Sequence, residues 1–366
     1  MVSGKLQRMI DEDAVTGGTS NPSIFEKAIG SGDAYDDHIR ELIDQDKSQA
    51  EIYDALTVKD IQLCCDLFHP IYDRTKAADG YSSLEVSPDI AYDTQATVRD
   101  AKRLFQAIGR ADAMIKIPGT AAGLPAIEEC LTEGVNINIT LLFGVENYEQ
   151  VARAYIRALQ KRHQAGRPID RIASVASFFV SRVDTLVDKL LEEKITKARD
   201  DAERANLREL MGKAGVANAK VAYAKFKEIF TGAIWGSLAE AGARVQRPLW
   251  ASTSTKNPTY RDVIYVEEPI GTNTINTMPQ NTLDAFRDHG VVKPDSIEED
   301  ADEAFAHIRR LQDAGIDFAA VTNQLQEEGV KLFSDAFKKA NETLAHKRDR
   351  ILKEKQQGVV AAAGTD

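Results

Sequence analysis

Residues 135–140 read V-N-I-N-I-T, and the fold turns on how that run is taken. Val135, Ile137 and Ile139 alternate with Asn136, Asn138 and Thr140. A strand points successive side chains to opposite faces, so one face is apolar and the other carries amides and a hydroxyl. Strands buried on both faces usually read as continuous apolar runs. Two arrangements fit. One is an edge strand whose polar face meets water. The other is a barrel strand whose apolar face meets helices while its polar face points inward.

The run just upstream, "ADAMIKIPGT" (111–120), behaves the same way. Met114, Lys116 and Pro118 share one face, and Ile115 and Ile117 the other. Lysine is rarely buried without compensation. "SSLEVS" adds Glu85 between Leu84 and Val86, a second lone charge on a strand. Lys116 and Glu85 fit a structural ion pair inside a barrel. Lys116 also fits a nucleophile, because a crowded apolar setting favours the neutral amine, which attacks a ketone to form a Schiff base.

Working outward, short β-like runs near 15–21, 82–87, 113–118, 135–142, 171–179, 248–253 and 272–278 alternate with helical ones. Residues 98–108 put Val98, Ala101, Leu104, Phe105 and Ile108 on one stripe, and 182–195 do so with Val183, Leu186, Val187, Leu190, Leu191 and Ile195. Strands separated by amphipathic helices imply an α/β fold with parallel pairing through right-handed crossovers. A closed (β/α)8 barrel needs eight strands, one more than these candidates supply. The charged, alanine-rich stretch 192–228 reads as surface helices, and the chain beyond Pro294 as helix to about Lys355 with a break near Gly315. No Gly/Ser/Pro-rich linker divides the chain, so one domain is expected over 1–350, with C-terminal helices and a disordered tail at 351–366.

Composition narrows the function. The 366 residues carry a net charge of −11 and a pI near 5.2, against broad nucleic-acid or anionic-membrane binding. Cys64, Cys65 and Cys130 suit neither a disulfide framework nor a zinc site, and no signal peptide or membrane span is visible, so a cytoplasmic protein is expected. The six histidines are scattered, and no metal is expected. "GGTSNPS" (17–23) brings Asn21 to a strand end, with Pro22 where a helix would begin; a helix cap and a binding amide fit equally. "SFFVSR" joins Ser177, Phe179 and Arg182, and "STSTKNP" joins hydroxyls to Lys256. Cations beside hydroxyls after a strand suit phosphate.

Taken together, these stretches resemble a known family. "GGTSNPSIF" resembles the first transaldolase signature, and "IKIPGTAAGLPAIEECLTEGVNINITLLF" the second, which holds a Schiff-base lysine. "HPIYDRTKAADGYSSLEVSPDIAYDT" and "RPLWASTSTKNPTYRDVIYVEEPIG" look like the longer bacterial-type branch. The resemblance implies a TIM barrel of the class I aldolase type in the non-oxidative pentose phosphate pathway. It implies transfer of a dihydroxyacetone unit between sugar phosphates, with no cofactor, in a monomer or homodimer. By the same resemblance Lys116 is the nucleophile and Glu85 works through a water. Asn138 and Thr140 hold the intermediate and that water, Asn21 binds substrate hydroxyls, Ser177, Arg182 and Lys256 line the phosphate side, and Phe179 is a substrate-binding residue. Lys256 stands where some branches carry arginine. Members also begin with a strand bearing an acid–base aspartate, and that strand is expected to be absent ahead of Gly4. The alternatives are a fructose 6-phosphate aldolase, against which Phe179 argues because those relatives carry tyrosine there, and a catalytically impaired sugar-phosphate-binding protein.

Overall fold

The computed structural model describes residues 4–363, with side chains through 357. In chain order come α1 (Lys5–Asp13), β1 (Gly18–Thr19), α2 (Pro22–Gly30), α3 (Asp36–Asp44), α4 (Gln49–Arg74), β2 (Ser82–Glu85) and α5 (Thr94–Ile108). There follow β3 (Ala113–Pro118), α6 (Gly123–Glu133), β4 (Ile137–Leu142), α7 (Val145–Gln164), β5 (Ser174–Phe179), α8 (Ser181–Ile195), α9 (Asp201–Glu209), α10 (Ala214–Ile229) and α11 (Ala233–Glu240). The remainder is β6 (Arg247–Ala251), α12 (Ile264–Glu267), β7 (Ile275–Asn276), α13 (Gln280–His289), α14 (Ala301–Asp313) and α15 (Phe318–Ala363).

Among the described residues seven strands form one sheet in the order β1-β2-β3-β4-β5-β6-β7. The pairs β1–β2, β4–β5, β5–β6 and β6–β7 are parallel, with Ser177 opposite Leu249 and Ala176 opposite Pro248 in β5–β6. Sequential strands joined through helices make this the α/β topology of an aldolase-type barrel. All seven strands lie where the alternation put them; β3 keeps the expected bounds and the others are shorter. The reason is visible ahead of β4. Gly134 adopts φ 101 as the left-handed cap of α6, and the Val135 amide bonds back to Cys130 O. The start of the V-N-I-N-I-T run is therefore spent closing a helix. Asn136 is spent too, since its Oδ1 accepts from the Ala173 amide at 3.0 Å. β4 lies between β3 and β5, and its six residues are all buried, so the solvated edge strand is excluded.

The chain divides into two compact units, each discontinuous, where one was expected. The first holds residues 1–90, 99–115 and 331–366. Ile39, Ile52, Leu56, Phe68 and Leu344 are buried in it, and α4 starts on a capping box made by Ser48 and Glu51. The Phe337 ring meets Tyr53 edge-on at 5.1 Å, and Lys347 and Arg350 both pair with Asp36. Ile351 is fully buried and α15 runs to Ala363, beyond the boundary expected at 350, while 364–366 lie outside the described residues.

The second unit holds residues 91–98 and 116–330. The Phe178 ring stands edge-on to Tyr148 of α7 and to Trp250 of β6, which marks the helix-covered face of the sheet. Ser177 and Phe179 point to the opposite face. One expectation fails here. α10 is an interior helix, with Ala217, Ala219, Val221, Ala222 and Phe226 buried and Asn218 donating to Phe143 O at 2.7 Å. Its alanines let it approach closely, and composition alone read them as a surface pattern.

Candidate active site

Lys116 sits in the middle of β3, where every residue is buried, and it is 5% exposed. Ile115 and Ile117 fill the other face. Where the strand ends, the Gly119 amide donates to Thr140 O at 2.8 Å, so the exits of the lysine strand and the threonine strand are bonded directly. Thr120 caps α6 by accepting from the Gly123 amide at 2.9 Å.

On β4, Asn138 and Thr140 share one face. Ser177 Oγ donates to Asn138 Oδ1 at 2.6 Å, so these two candidates form one buried unit. The bond also takes Ser177 up as a partner of Asn138, where the sequence grouped it with Arg182. Thr140 Oγ1 is buried without a hydrogen-bond partner among the described residues. The register of β4 against β5 slips between Ile139 and Leu142, and Leu141 adopts φ 57. A left-handed leucine is strained, and such bulges re-aim neighbouring side chains.

The ends of β5 and β6 gather the cations. The Arg182 guanidinium lies 5.6 Å from the centre of the Phe179 ring, which in turn packs on Phe143 at 5.0 Å. Arg182 is the second residue of α8, beside a helix N-terminus that favours anions. Lys256 donates to Ser254 Oγ at 2.7 Å, and Ser181 and Ser252 hydroxyls are 3.0 Å apart. Burial lowers the Arg182 guanidinium, with the Glu328 charge opposing. Burial, then the charge of Arg182, lowers the Lys256 amine. Two cations that disfavour each other are what an anionic phosphate would stabilise.

Asn21 and Glu85 belong to the other unit. Asn21 caps α2, its Oδ1 accepting from the Ile24 amide at 2.9 Å, with Pro22 at the first helical position. The cap is thus realised. Glu85 closes β2 and is half-buried. Its charge, after burial, raises the Tyr53 hydroxyl.

The sequence reading missed the support beneath the cations. The buried residues of α8 are Ser181, Val183, Asp184, Val187, Asp188 and Leu191, so the inward stripe is rotated from the expected one and takes in two carboxylates. Asp184 accepts from the Gly215 amide at 2.8 Å and the Tyr265 hydroxyl at 2.7 Å. Asp188 accepts from the Gly212 amide at 2.9 Å and the Tyr260 hydroxyl at 2.7 Å. Tyr260 and Tyr265 follow Lys256 in the chain, so the helix bearing Arg182 anchors the segment after Lys256. Burial pushes the Asp184 carboxyl up to about 6 against its hydrogen bonds. The spacing D-x-x-x-D beside Val183 and Val187 was the available signal. Among the described residues no three His, Cys, Asp or Glu side chains gather as a metal site would require, and no helix is long and apolar enough to cross a membrane.

Comparison with known proteins bears on this arrangement. A family model described as Transaldolase/Fructose-6-phosphate aldolase matches residues 3–344. A protein named Transaldolase from Trichodesmium erythraeum is 47% identical over 351 residues, covering 95% of this chain and 92% of that protein. Similar proteins named Transaldolase occur in Thermobifida fusca, 45% identical over 90% of this chain and 88% of the relative, and in Mycobacterium bovis, 44% identical over 94% and 91%.

Proposed function

We infer the reaction from the family to which the chain belongs, the transaldolase/fructose-6-phosphate aldolase family. Within it the protein is a transaldolase, the activity named for relatives that match nine-tenths or more of its length. It moves a dihydroxyacetone unit between sugar phosphates. Sedoheptulose 7-phosphate and glyceraldehyde 3-phosphate give erythrose 4-phosphate and fructose 6-phosphate, reversibly, in the non-oxidative pentose phosphate pathway. That agreement in sequence carries the reading of the reaction.

The residue roles are our proposal. The Lys116 amine adds to the C2 ketone, and loss of water gives an iminium. Glu85, acting through a water, shuttles the proton that this dehydration needs. The iminium then draws in the electron pair of the breaking C3–C4 bond, the C4 hydroxyl gives up its proton to a water molecule, and the departing aldose phosphate leaves an enamine on the lysine. The enamine adds to the acceptor aldehyde, and hydrolysis frees Lys116. Asn138, held by Ser177, and Thr140 hydrogen-bond the intermediate. Asn21 binds substrate hydroxyls. Arg182 on the Phe179 ring, with Lys256, takes the phosphate. Burial of Lys116 on a strand next to that of Asn138 and Thr140 supports these assignments. We also place the protein in the cytoplasm as a monomer or homodimer, in keeping with three free cysteines.

Borohydride trapping tests the chemistry. Fructose 6-phosphate with borohydride should inactivate the enzyme and label the peptide that contains Lys116, and Lys116→Ala should lose both labelling and transfer. Label on another residue, or transfer surviving in Lys116→Ala, would overturn the assignment. Product formation that requires an acceptor aldehyde separates transfer from simple aldol cleavage.

A further inference from the structure

We propose that Gln326 and Gly329 of α15 are positioning residues for the lysine chemistry. They hold the left-handed bulge of β4 that sets Thr140 and tie it to the exit of the Lys116 strand. The proposal rests on the roles given above to Lys116 and Thr140.

Leu141 is the starting point. Its φ of 57 is unfavourable for a branched side chain, and it lies inside a strand, fully buried, where the register slips. Such a conformation costs about 1–3 kcal/mol and persists only when its surroundings over-determine it. Here two features of one helix do so. Gln326 Nε2 donates to Leu141 O at 3.1 Å and to Gly119 O at 3.0 Å. One primary amide has two hydrogens, so a single side chain satisfies both carbonyls. One turn further on, a Cβ at Gly329 would come within 2.9 Å of Leu141 Cδ2. The helix therefore offers a notch that an added Cβ would crowd, and the leucine side chain fills it.

The effect falls on Thr140. Its carbonyl accepts from the Gly119 amide, and the next carbonyl along accepts from Gln326. The peptide that follows the buried hydroxyl is thus held from both sides. Gly119 in turn ends the turn out of β3, three residues beyond Lys116. Gln326 fixes the lysine strand and the threonine strand against each other where their chemistry meets, and among the described residues its hydrogen bonds reach neither Arg182 nor Lys256.

That separation defines the test. Steady-state kinetics, borohydride trapping with fructose 6-phosphate and thermal melting would be measured for Gln326→Leu, Gln326→Glu and Gly329→Ala. Glutamate keeps the side chain's shape, yet its carboxylate donates nothing, so it should be as defective as leucine. The expected result is a fall in kcat of tenfold or more, an equal slowing of trapping, and a KM for glyceraldehyde 3-phosphate within twofold of the parent. Should Gln326→Leu unfold, Gln326→Glu and Gly329→Ala still give the reading. Folded variants with kcat and trapping within twofold of the parent, or with only the acceptor KM altered, would overturn the inference. A parent enzyme that is not trapped at Lys116 would overturn the underlying roles, and that result is separate from any variant.

Discussion

At Thr140 the buried hydroxyl lacks a protein partner among the described residues. Burying a hydroxyl in that state costs about 1–3 kcal/mol. Valine has the same shape and an equal liking for strands. Thr140→Val should therefore melt higher than the parent, by about 1 kcal/mol of unfolding free energy, while kcat falls about a hundredfold as the intermediate loses its hydrogen bond. Thermal melts and initial rates on one preparation check both halves. A variant that is less stable, or as active as the parent, would sink the reading of that hydroxyl as kept for chemistry. Much at this scale was legible. Period-two alternation placed Lys116, Asn138 and Thr140 on strands, where they are buried, because strand geometry repeats strictly. The Leu141 bulge was not legible, since leucine gives no signal for a left-handed backbone. Its support comes from Gln326, 185 positions along the chain. Nor was the fate of Asn136, whose amide serves the Ala173 backbone in place of the site.

At the level of elements, α8 sets two buried carboxylates beside a cation proposed for the phosphate. It carries Arg182 near its start, and Asp184 and Asp188 face inward from it, each receiving one backbone amide and one tyrosine hydroxyl. Asp184 is raised from 3.8 to about 6 by burial, with the charge of Asp188 adding to it. A raised carboxyl favours folding in its protonated form. Its contribution is full below the unfolded value near 4 and is lost as pH climbs through about 6. At about 1.4 kcal/mol per pH unit, the loss reaches about 3 kcal/mol by pH 7. Asp184→Asn cannot ionise, so its stability relative to the parent should rise by up to that amount between pH 4 and 7, whatever fixed offset the amide brings. Urea unfolding at four pH values tests this, and a difference that stays flat with pH would refute it. Expected and observed stripes on this helix differ by a small rotation. Simple hydrophobic periodicity gives carboxylates to solvent, and the amides of Gly212 and Gly215 with the tyrosines that follow Lys256 make burying them tolerable. α10 was misread for the converse reason. Its small residues look like surface composition, and they serve close packing instead.

For the molecule as a whole, the electrostatic question is how a chain of net charge −11 takes an anionic substrate. The strand order was readable because βα alternation leaves few topologies open. The charge balance was readable too, but it pointed away from the site. Charges farther from the site than a Debye length, about 8 Å at physiological salt, are largely screened. A phosphate held by Arg182 and Lys256 interacts over about 4 Å, where each unit pair is worth roughly 4 kcal/mol at a near-surface dielectric. The local pair should win. Binding should then stabilise the fold by about 2.7 kcal/mol when ligand stands at 100 times its dissociation constant. In Lys116→Ala, where no covalent adduct forms, fructose 6-phosphate should raise the melting temperature by a few degrees. Added Lys256→Gln should remove most of that shift, and so should raising sodium chloride at constant ligand. If salt enlarged the shift instead, the distributed negative field would be the stronger influence and the two cations would not be the phosphate's principal hold. An undiminished shift in the double variant would remove Lys256 from the phosphate site while leaving Arg182 in it.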